Sequence, residues 1–386
     1  PEEFPYTREG ALALVRESIP DFTEEEFNGL VDAGQIRWMY VDGQPRYFER
    51  FFDSICKSLP EIVRRVESKG PRKDDLEERC LRQIRETGQH QIRVRIRASL
   101  RLNDGQFTPG MFLRAHLPIP LETWEQSNVR IEKVFPANGK IAPADAPQRT
   151  VCWEETAAEN HEFAVEYSYT RTARYGAAEG PAVPADTAEQ APHIVFTPYI
   201  RALAEELAGD VPDPMEKARR FYDYITLHMK YTYMPDYFTL EDIPTECARS
   251  KTGDCGVFAL LFITLCRCAG IPARWESGLA VEPDSCGPHD WARFYDASRG
   301  WLYCDPSYGV AAARRGNEER RQFYFGYMDT YRMAANRVFQ APFTVEKSHW
   351  RADPYDNQVG ELETADRGFR YDEFERGREV LFWEES

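Results

Sequence analysis

The sequence lacks an apolar run of about 18 residues, the length that a transmembrane helix needs. It also lacks a surplus of positive charge: 48 Lys and Arg stand against 64 Asp and Glu, a formal net charge of −16. A non-specific nucleic-acid binder, or a protein that docks electrostatically on an anionic membrane, needs a basic surface. We therefore expect neither a nucleic acid nor a membrane as partner.

The first residues, PEEFPYTREGALALV, lack the basic start and apolar run of a signal peptide. They also lack an initial Met, so this reading leaves open a leader removed before residue 1. The nine cysteines are odd in number and irregularly spaced, whereas secreted chains usually pair theirs. We expect reduced thiols and a cytoplasmic location.

Metal-binding patterns are missing too. The cysteines lack the Cys-x-x-Cys pairs that are typical of structural zinc sites. Cys266 and Cys268, two residues apart, would point to different faces of a helix. No Asp-x-Asp-x-Asp-Gly calcium loop occurs. The sequence predicts no metal and no other cofactor.

The sequence contains enough hydrophobic residues (42%) and aromatic residues (13%) to form sizeable cores. Helix caps at Thr7 and at Thr23 with Glu26, and an Asp42-Gly43 hairpin turn, mark a mostly helical start. The predicted units are a helical domain at 1–88, a β-sandwich at 89–176, a linker at 177–192, a core at 193–345 and a C-terminal extension at 346–386.

The β-sandwich prediction rests on segments in which apolar and polar residues alternate. Between 92 and 102, apolar residues alternate with Arg93, Arg95, Arg97 and other polar residues, which indicates a strand with one buried and one basic face. Further strand candidates lie at 112–119, 129–135, 150–153 and 163–169. The basic face could bind an acidic ligand, but we expect it to pair with Glu162 and Glu166 across the sheet.

Cys255 stands directly before an apolar stretch that ends at Gly270 and Pro272. Glycine favours the position after a helix, and proline cannot continue one. We therefore expect a buried helix over 255–269 with Cys255 in its first turn. The partial positive charge of the helix N-terminus favours a thiolate, so we expect a lowered pKa for Cys255.

A cysteine nucleophile needs a base, and the base needs an orienting partner. His289 begins one strand pattern, and Asp305 ends the next after a turn at 297–300. Antiparallel pairing of these strands would bring His289 beside Asp305, with the start of the helix packed against them. Cys255, His289 and Asp305 are therefore the candidate catalytic residues.

Four motifs in this region resemble the transglutaminase-like superfamily, a papain-like cysteine acyl-transferase and protease core. They are Gly253-Asp254-Cys255, Gly270-Ile271-Pro272-Ala273-Arg274, His289-Asp290-Trp291 and Gly300-Trp301 through Asp305-Pro306. The resemblance covers about 195–310. It implies an α+β fold in which the helix carrying the cysteine packs on an antiparallel sheet, after a β-sandwich and a helical N-terminal segment.

The resemblance implies a Cys-His-Asp triad that forms a thioester acyl-enzyme on a peptide or protein substrate. The family adds a side-chain oxyanion donor upstream, for which Tyr231, Tyr233 and Tyr237 are candidates and Tyr233 is preferred. The sequence departs from the family at Asp290, where relatives carry a small residue. Its side chain could face the site and raise the pKa of His289, but we expect it to alternate outward.

Two functions follow. The first is an enzyme that acts on peptide or isopeptide amides, with hydrolysis slightly favoured over amine crosslinking. The alternative is a non-catalytic peptide-binding or scaffold module that retains the fold. Trp275, Trp291 and Trp301 could form a substrate platform, but we expect them to pack in the core. The polar segment 353–358 could border the cleft, but we expect a surface loop.

Overall fold

The computed structural model describes residues 2–66, 76–176 and 180–386. It has mixed α+β architecture with antiparallel sheets, which confirms the predicted fold class. Most of the charged run at 69–79 and residues 177–179 of the predicted linker lie outside the described residues. Within the described part, no helix combines the length and apolarity that crossing a membrane requires. The predicted domain boundaries stay predictions.

The N-terminal residues form a helical unit with an apolar core of its own. Its elements are α1 (Arg8–Ser18), α2 (Glu24–Asp32), β1 (Trp38–Val41), β2 (Gln44–Tyr47), α3 (Phe51–Ser58) and α4 (Pro60–Val66). Thr7 caps α1, and Thr23 with Glu26 forms a capping box on α2, as predicted. Asp42 and Gly43 join the hairpin at φ angles of 50° and 73°, the conformation that this turn requires. Phe27, Phe51 and other apolar side chains of α1 to α4 fill the core between them.

The β-sandwich follows, and its two four-stranded sheets face each other across an apolar core. Its elements within this part of the chain are α5 (Leu76–Thr87), β3 (Gln89–Leu102), β4 (Met111–Pro118), β5 (Gln126–Phe135), β6 (Lys140–Ile141), β7 (Thr150–Ala157) and β8 (Phe163–Arg174). Arg95 pairs with Glu166 on the neighbouring strand β8, and Arg97 pairs with Glu162 just before that strand, as the sequence predicted.

The core domain places helices around a five-stranded antiparallel sheet. Its helices are α6 (Pro198–Ala208), α7 (Pro214–His228), α8 (Ile243–Ser250), α9 (Cys255–Cys268), α10 (Pro306–Arg314) and α11 (Glu318–Phe323). Its strands are β9 (Lys230–Tyr231), β10 (Thr252–Gly253), β11 (Ala273–Glu282), β12 (Ser285–Asp296), β13 (Gly300–Cys304), β14 (Phe325–Gly326) and β15 (Arg332–Asn336). The sheet order is β14-β13-β12-β11-β15, and α9 is buried along nearly its whole length. Trp275, Trp291 and Trp301 are buried, which confirms their predicted place in the core.

The C-terminal extension returns to the sandwich and contributes a strand to each sheet. These strands are β16 (Glu361–Glu363) and β17 (Phe374–Glu385). They give the sheet orders β16-β4-β7-β6 and β17-β3-β8-β5. Between β15 and β16, the extension passes beside the start of α9, where the candidate residues lie.

Candidate active site

Cys255 occupies the first position of α9, as predicted from the sequence. Asp254 caps the helix, and its carboxylate accepts a hydrogen bond of 3.2 Å from the Val257 N–H. The helix ends before Gly270, which takes a φ of 76° that glycine adopts without strain. The thiol of Cys255 is therefore held, partly buried, at the end of a helix where backbone N–H groups are unpaired.

His289 and Asp305 meet as the strand pattern predicted. A hydrogen bond of 2.7 Å joins His289 Nε2 to Asp305 Oδ2, and both side chains are buried. Asp305 also caps α10, because its Oδ1 accepts from the Tyr308 N–H at 2.9 Å. One carboxylate thus fixes the imidazole and begins the next helix.

Arg332, which the sequence analysis missed, contacts the same carboxylate. Its Nη2 lies 3.2 Å from Asp305 Oδ2 and 3.1 Å from Asp329 Oδ2, and all three side chains are fully buried. Burial opposes ionisation of Asp305, but attraction to His289 and Arg332 outweighs it and lowers the pKa of the carboxyl. A single arginine inside the apolar strand 332–336 was the signal available in the sequence.

The imidazole of His289 has a lowered pKa. Burial is the main cause, and the nearby charges of Arg332 and Lys57 act in the same direction, while Asp305 opposes them. The histidine is therefore neutral at pH 7. Because Asp305 is ionised and can only accept, the proton lies on His289 Nε2 and Nδ1 is left as an acceptor.

The hydrogen-bond partner of the Cys255 thiol is Asp290. Its sulfur donates to Asp290 Oδ2 at 3.4 Å, and the structure records no hydrogen bond between Cys255 and His289, both of which it describes. The expectation that Asp290 points outward is wrong. Residues 289–292 of β12 are buried in succession because both faces of the strand are covered, so alternation does not separate inside from outside here.

The pKa of the Cys255 thiol is raised well above its usual value. Burial is the main cause, and the carboxylates of Asp290 and Asp254 add to it. The expected lowering by the helix N-terminus is therefore wrong, because the partial charge of a helix end is outweighed by desolvation and two neighbouring acids. In the free protein Cys255 is a neutral thiol.

The segment 353–358 borders this site and is not the surface loop expected from its polarity. Gln358 Nε2 donates to Asp290 Oδ1 at 2.6 Å and to the His289 carbonyl oxygen at 2.9 Å. Asp356 is 1% exposed, and its pKa is raised well above the usual value by burial and by Asp290. The side chains of Gln358 and Asp356 face inward because both interact with Asp290 of the core domain.

The three candidate tyrosines occupy different surroundings. Tyr233 lies against the N-terminal unit: its N–H donates to Ser54 Oγ at 2.9 Å, and the Arg50 guanidinium lies 3.4 Å from its ring centre. The Tyr237 hydroxyl donates to Asp254. The Tyr231 hydroxyl has no hydrogen-bond partner among the described residues. Burial raises the pKa of Tyr231 and Tyr237 well above its usual value, with a further contribution from Cys255 in each case.

The N-terminal unit also places a positive charge, that of Lys57, near the candidate site. Lys57 Nζ lies 4.4 Å from the Tyr231 ring centre and 3.4 Å from the Tyr233 hydroxyl. Its charge lowers the pKa of both Cys255 and His289, as a minor contribution in each. Within the described residues, no cluster of three or more His, Cys, Asp or Glu side chains could hold a metal ion.

A helix that begins with a cysteine and packs on an antiparallel sheet carrying a histidine–aspartate pair defines the papain-like class of folds. Residues 201–306 match the model of the transglutaminase-like superfamily. The match covers the helix carrying Cys255 and both residues of the His289–Asp305 pair.

One curated relative is the uncharacterized protein YebA of Bacillus subtilis (strain 168). It is 27% identical over 129 residues, which are 28% of this chain and 17% of YebA. The chain thus spans about a sixth of that relative's length.

Two solved structures are similar. A candidate cysteine protease from Cytophaga hutchinsonii has 14% identity and a TM-score of 0.44, covering 78% of this chain and 90% of its own. The periplasmic domain of TgpA from Pseudomonas aeruginosa has 16% identity and a TM-score of 0.34, covering 59% and 92%.

Proposed function

We propose that the protein is a cysteine-dependent acyl-transfer enzyme that acts on peptide or isopeptide amides. The observation that carries this proposal is the 2.7 Å bond between Asp305 and His289. His289 lies on β12, the strand that the first turn of α9 contacts through Cys255 and Asp290. The match of residues 201–306 to the transglutaminase-like superfamily supports it.

In the proposed reaction, Cys255 Sγ attacks the amide carbonyl carbon while its proton passes to His289 Nδ1. Asp305 holds the imidazole through Nε2 and stabilises the imidazolium that forms. His289 then gives the proton to the leaving amine, and a thioester remains on Cys255. Water, or a second amine, attacks the thioester with His289 as the base and restores the thiol.

The negative oxygen of the tetrahedral intermediate needs donors. The Cys255 backbone N–H, at the unpaired end of α9, supplies one. Tyr231 is better supported than Tyr233 as the side-chain donor. Its hydroxyl has no hydrogen-bond partner among the described residues, and Cys255 contributes to its raised pKa, whereas Tyr233 contacts Arg50 and Lys57.

Acyl-enzyme formation can be tested with p-nitrophenyl acetate, followed by digestion and mass spectrometry. We expect one acetyl group on Cys255. The Cys255→Ala variant should take up none there and should release no p-nitrophenol above the buffer rate. Cys286→Ala is the matched control, since Cys286 is also partly buried and lies on the same strand as His289. Equal ester cleavage by wild type and Cys255→Ala would refute the proposal.

The acceptor of the acyl group, water or an amine, is tested separately with glutamine-containing and isopeptide-linked peptides. Release of ammonia or free lysine without incorporation of a fluorescent primary amine would support hydrolysis, which we favour slightly. Asp305→Asn should lower the turnover of any active peptide by roughly 10³–10⁴-fold, while asparagine still caps α10. Tight binding of peptides with no acetylation of Cys255 would instead support the scaffold alternative.

A further inference from the structure

Asp290 is placed to act on the thiol of Cys255 directly. Its Oδ2 lies 3.4 Å from Sγ, a hydrogen-bonding distance for sulfur, and Asp290 is 4% exposed. A thiol is a weak donor and a carboxylate a strong acceptor, so this contact orients the S–H bond toward Asp290. The reaction proposed above assigns Asp290 no step.

The C-terminal extension fixes the other side of this carboxylate. Gln358 Nε2 donates to Asp290 Oδ1 at 2.6 Å and also to the carbonyl oxygen of His289 at 2.9 Å. The Gln358 amide therefore links Asp290, the neighbour of His289 on the strand, to a segment about 70 residues away in sequence. Asp290 cannot turn away from the sulfur without breaking the bond to Gln358.

The lack of a side chain at the second residue of α9 leaves room for the contact between Asp290 and Cys255. Gly256 follows Cys255, and a β-carbon there would come within 2.7 Å of Asp290 Oδ2 and would overlap the Tyr237 hydroxyl. A contact of that length is not tolerated between real side chains. Glycine at 256 thus lets the carboxylate pack directly on the first turn of the helix.

We propose that Asp290 is a positioning residue that holds the thiol proton of Cys255 in the free protein, and that Gln358 keeps Asp290 in place. The sulfur loses that proton only when it passes to His289 Nδ1, which leaves a thiolate beside a carboxylate and an imidazolium, with no change in net charge. The catalytic role of Asp290 in this inference rests on the proposed function. The test of the inference is independent of that function, because alkylation of a thiol needs no substrate.

Other charged and titratable groups also face the sulfur, and they remain unchanged in the test. Those that interact with Cys255 come from α3 (Lys57), β9 (Tyr231), the turn at 237–239 (Tyr237) and the cap of α9 (Asp254). Asp353 and Asp356 of the extension interact with Asp290 instead, and His289 precedes Asp290 on β12. The acids oppose the thiolate and Lys57 favours it. Burial, with the neighbouring Asp254 and Asp353, raises the pKa of Asp290 well above its usual value. Over the pH range in which Asp290 is ionised, Asp290→Asn removes a charge that opposes the thiolate and should lower the pKa of the Cys255 thiol.

The experiment is the rate of iodoacetamide alkylation of Cys255 as a function of pH, followed by mass spectrometry of its peptide. In Asp290→Asn, the amide can still accept from Gln358 and can donate toward the sulfur. We expect the midpoint of the profile to fall by about one pH unit or more, which corresponds to roughly tenfold faster labelling near neutral pH. Gln358→Leu should shift the midpoint the same way by a smaller amount, because Asp290 loses the donor that favours its ionised form.

Asp296→Asn is the matched control, since Asp296 ends the same strand and bonds to Ser298 instead. Its profile should coincide with that of the wild type. Coinciding profiles for Asp290→Asn and wild type, with equal thermal unfolding, would overturn the inference. If Asp290→Asn does not fold, an unshifted Gln358→Leu overturns it equally. A shifted profile in a protein that forms no acyl-enzyme would support the inference and refute the proposed function.

Discussion

Arg332 Nη2 lies 3.2 Å from Asp305 Oδ2, the same oxygen that bonds to His289 Nε2. The Arg332 guanidinium also lies 4.0 Å from the ring centre of Tyr308 and bonds to Asp329. A buried positive charge thus balances Asp305 even while His289 is neutral. The carboxylate can remain ionised in the free protein, ready to stabilise an imidazolium.

Replacing Arg332 with methionine should destabilise the fold by about 3–5 kcal/mol, because two buried carboxylates lose their shared partner. Urea unfolding at pH 7 measures this loss. Arg8→Met is the control: it breaks the Arg8–Glu24 pair, which is largely exposed, and should cost no more than about 1 kcal/mol. Similar losses in the two variants would contradict the proposed role of Arg332.

The choice among the tyrosines can be made with three phenylalanine variants. If Tyr231 donates to the oxyanion, Tyr231→Phe should lower kcat roughly 10²–10³-fold. Tyr233→Phe should change kcat little, since its hydroxyl contacts Lys57 of the N-terminal unit. Tyr237→Phe should release Asp254 and reduce thermal stability. A large loss of kcat in Tyr233→Phe alone would restore the residue that the sequence favoured.

Stability should depend on the pH through His193. Burial lowers its pKa from 6.5 to about 4, so the unfolded chain binds a proton at a pH where the folded protein does not. Stability is then complete above pH 6.5 and is lost as the pH falls toward 4, by up to roughly 3 kcal/mol. In urea unfolding, the advantage of wild type over His193→Gln should shrink over this range.

His161 provides a control of opposite sign. Hydrogen bonds to Glu162 and Glu155 raise its pKa above 6.5 despite partial burial. Its contribution is complete below pH 6.5 and is lost as the pH rises through the folded-state pKa. The advantage of wild type over His161→Gln should therefore grow as the pH falls. If both variants show the same trend, burial is not what sets the sign for His193.

Gly278 lies between two neighbouring strands and pairs with His289, which is on β12. An added β-carbon would overlap the Met333 carbonyl oxygen on β15, so Gly278→Ala should cost about 1–3 kcal/mol in unfolding free energy. Gly287, on β12 itself, has no neighbouring atom within 4 Å of an added β-carbon. Gly287→Ala should stay within about 0.5 kcal/mol of wild type, and a loss there equal to that of Gly278→Ala would contradict this packing argument.

The sequence was sufficient to place Cys255 at the start of α9 and to bring His289 and Asp305 together. These predictions depended on local signals: a cap, a glycine and proline that end a helix, and a turn between two strands. They also depended on motifs that are specific to one superfamily. Local chemistry of this kind is fixed by neighbours in sequence, so it can be deduced without coordinates.

The surroundings of Cys255 could not be deduced in the same way. Asp290 breaks the alternation rule because β12 is covered on both faces, and Gln358 reaches it from another part of the chain. The partner of Arg332 is likewise 27 residues away on a different element. Contacts of this kind depend on how the elements pack, and polarity alone favoured a surface loop for 353–358.

The strand pairing of β3 with β17 bears on synthesis at the ribosome. Translation delivers about 5–20 residues per second, and the entire core domain emerges between these two strands. Until β17 emerges, a nascent chain carries β3 with one edge unpaired, and until Gln358 emerges, Asp290 lacks its amide donor. The surroundings of the Cys255 thiol are therefore completed only after the core domain has been synthesised.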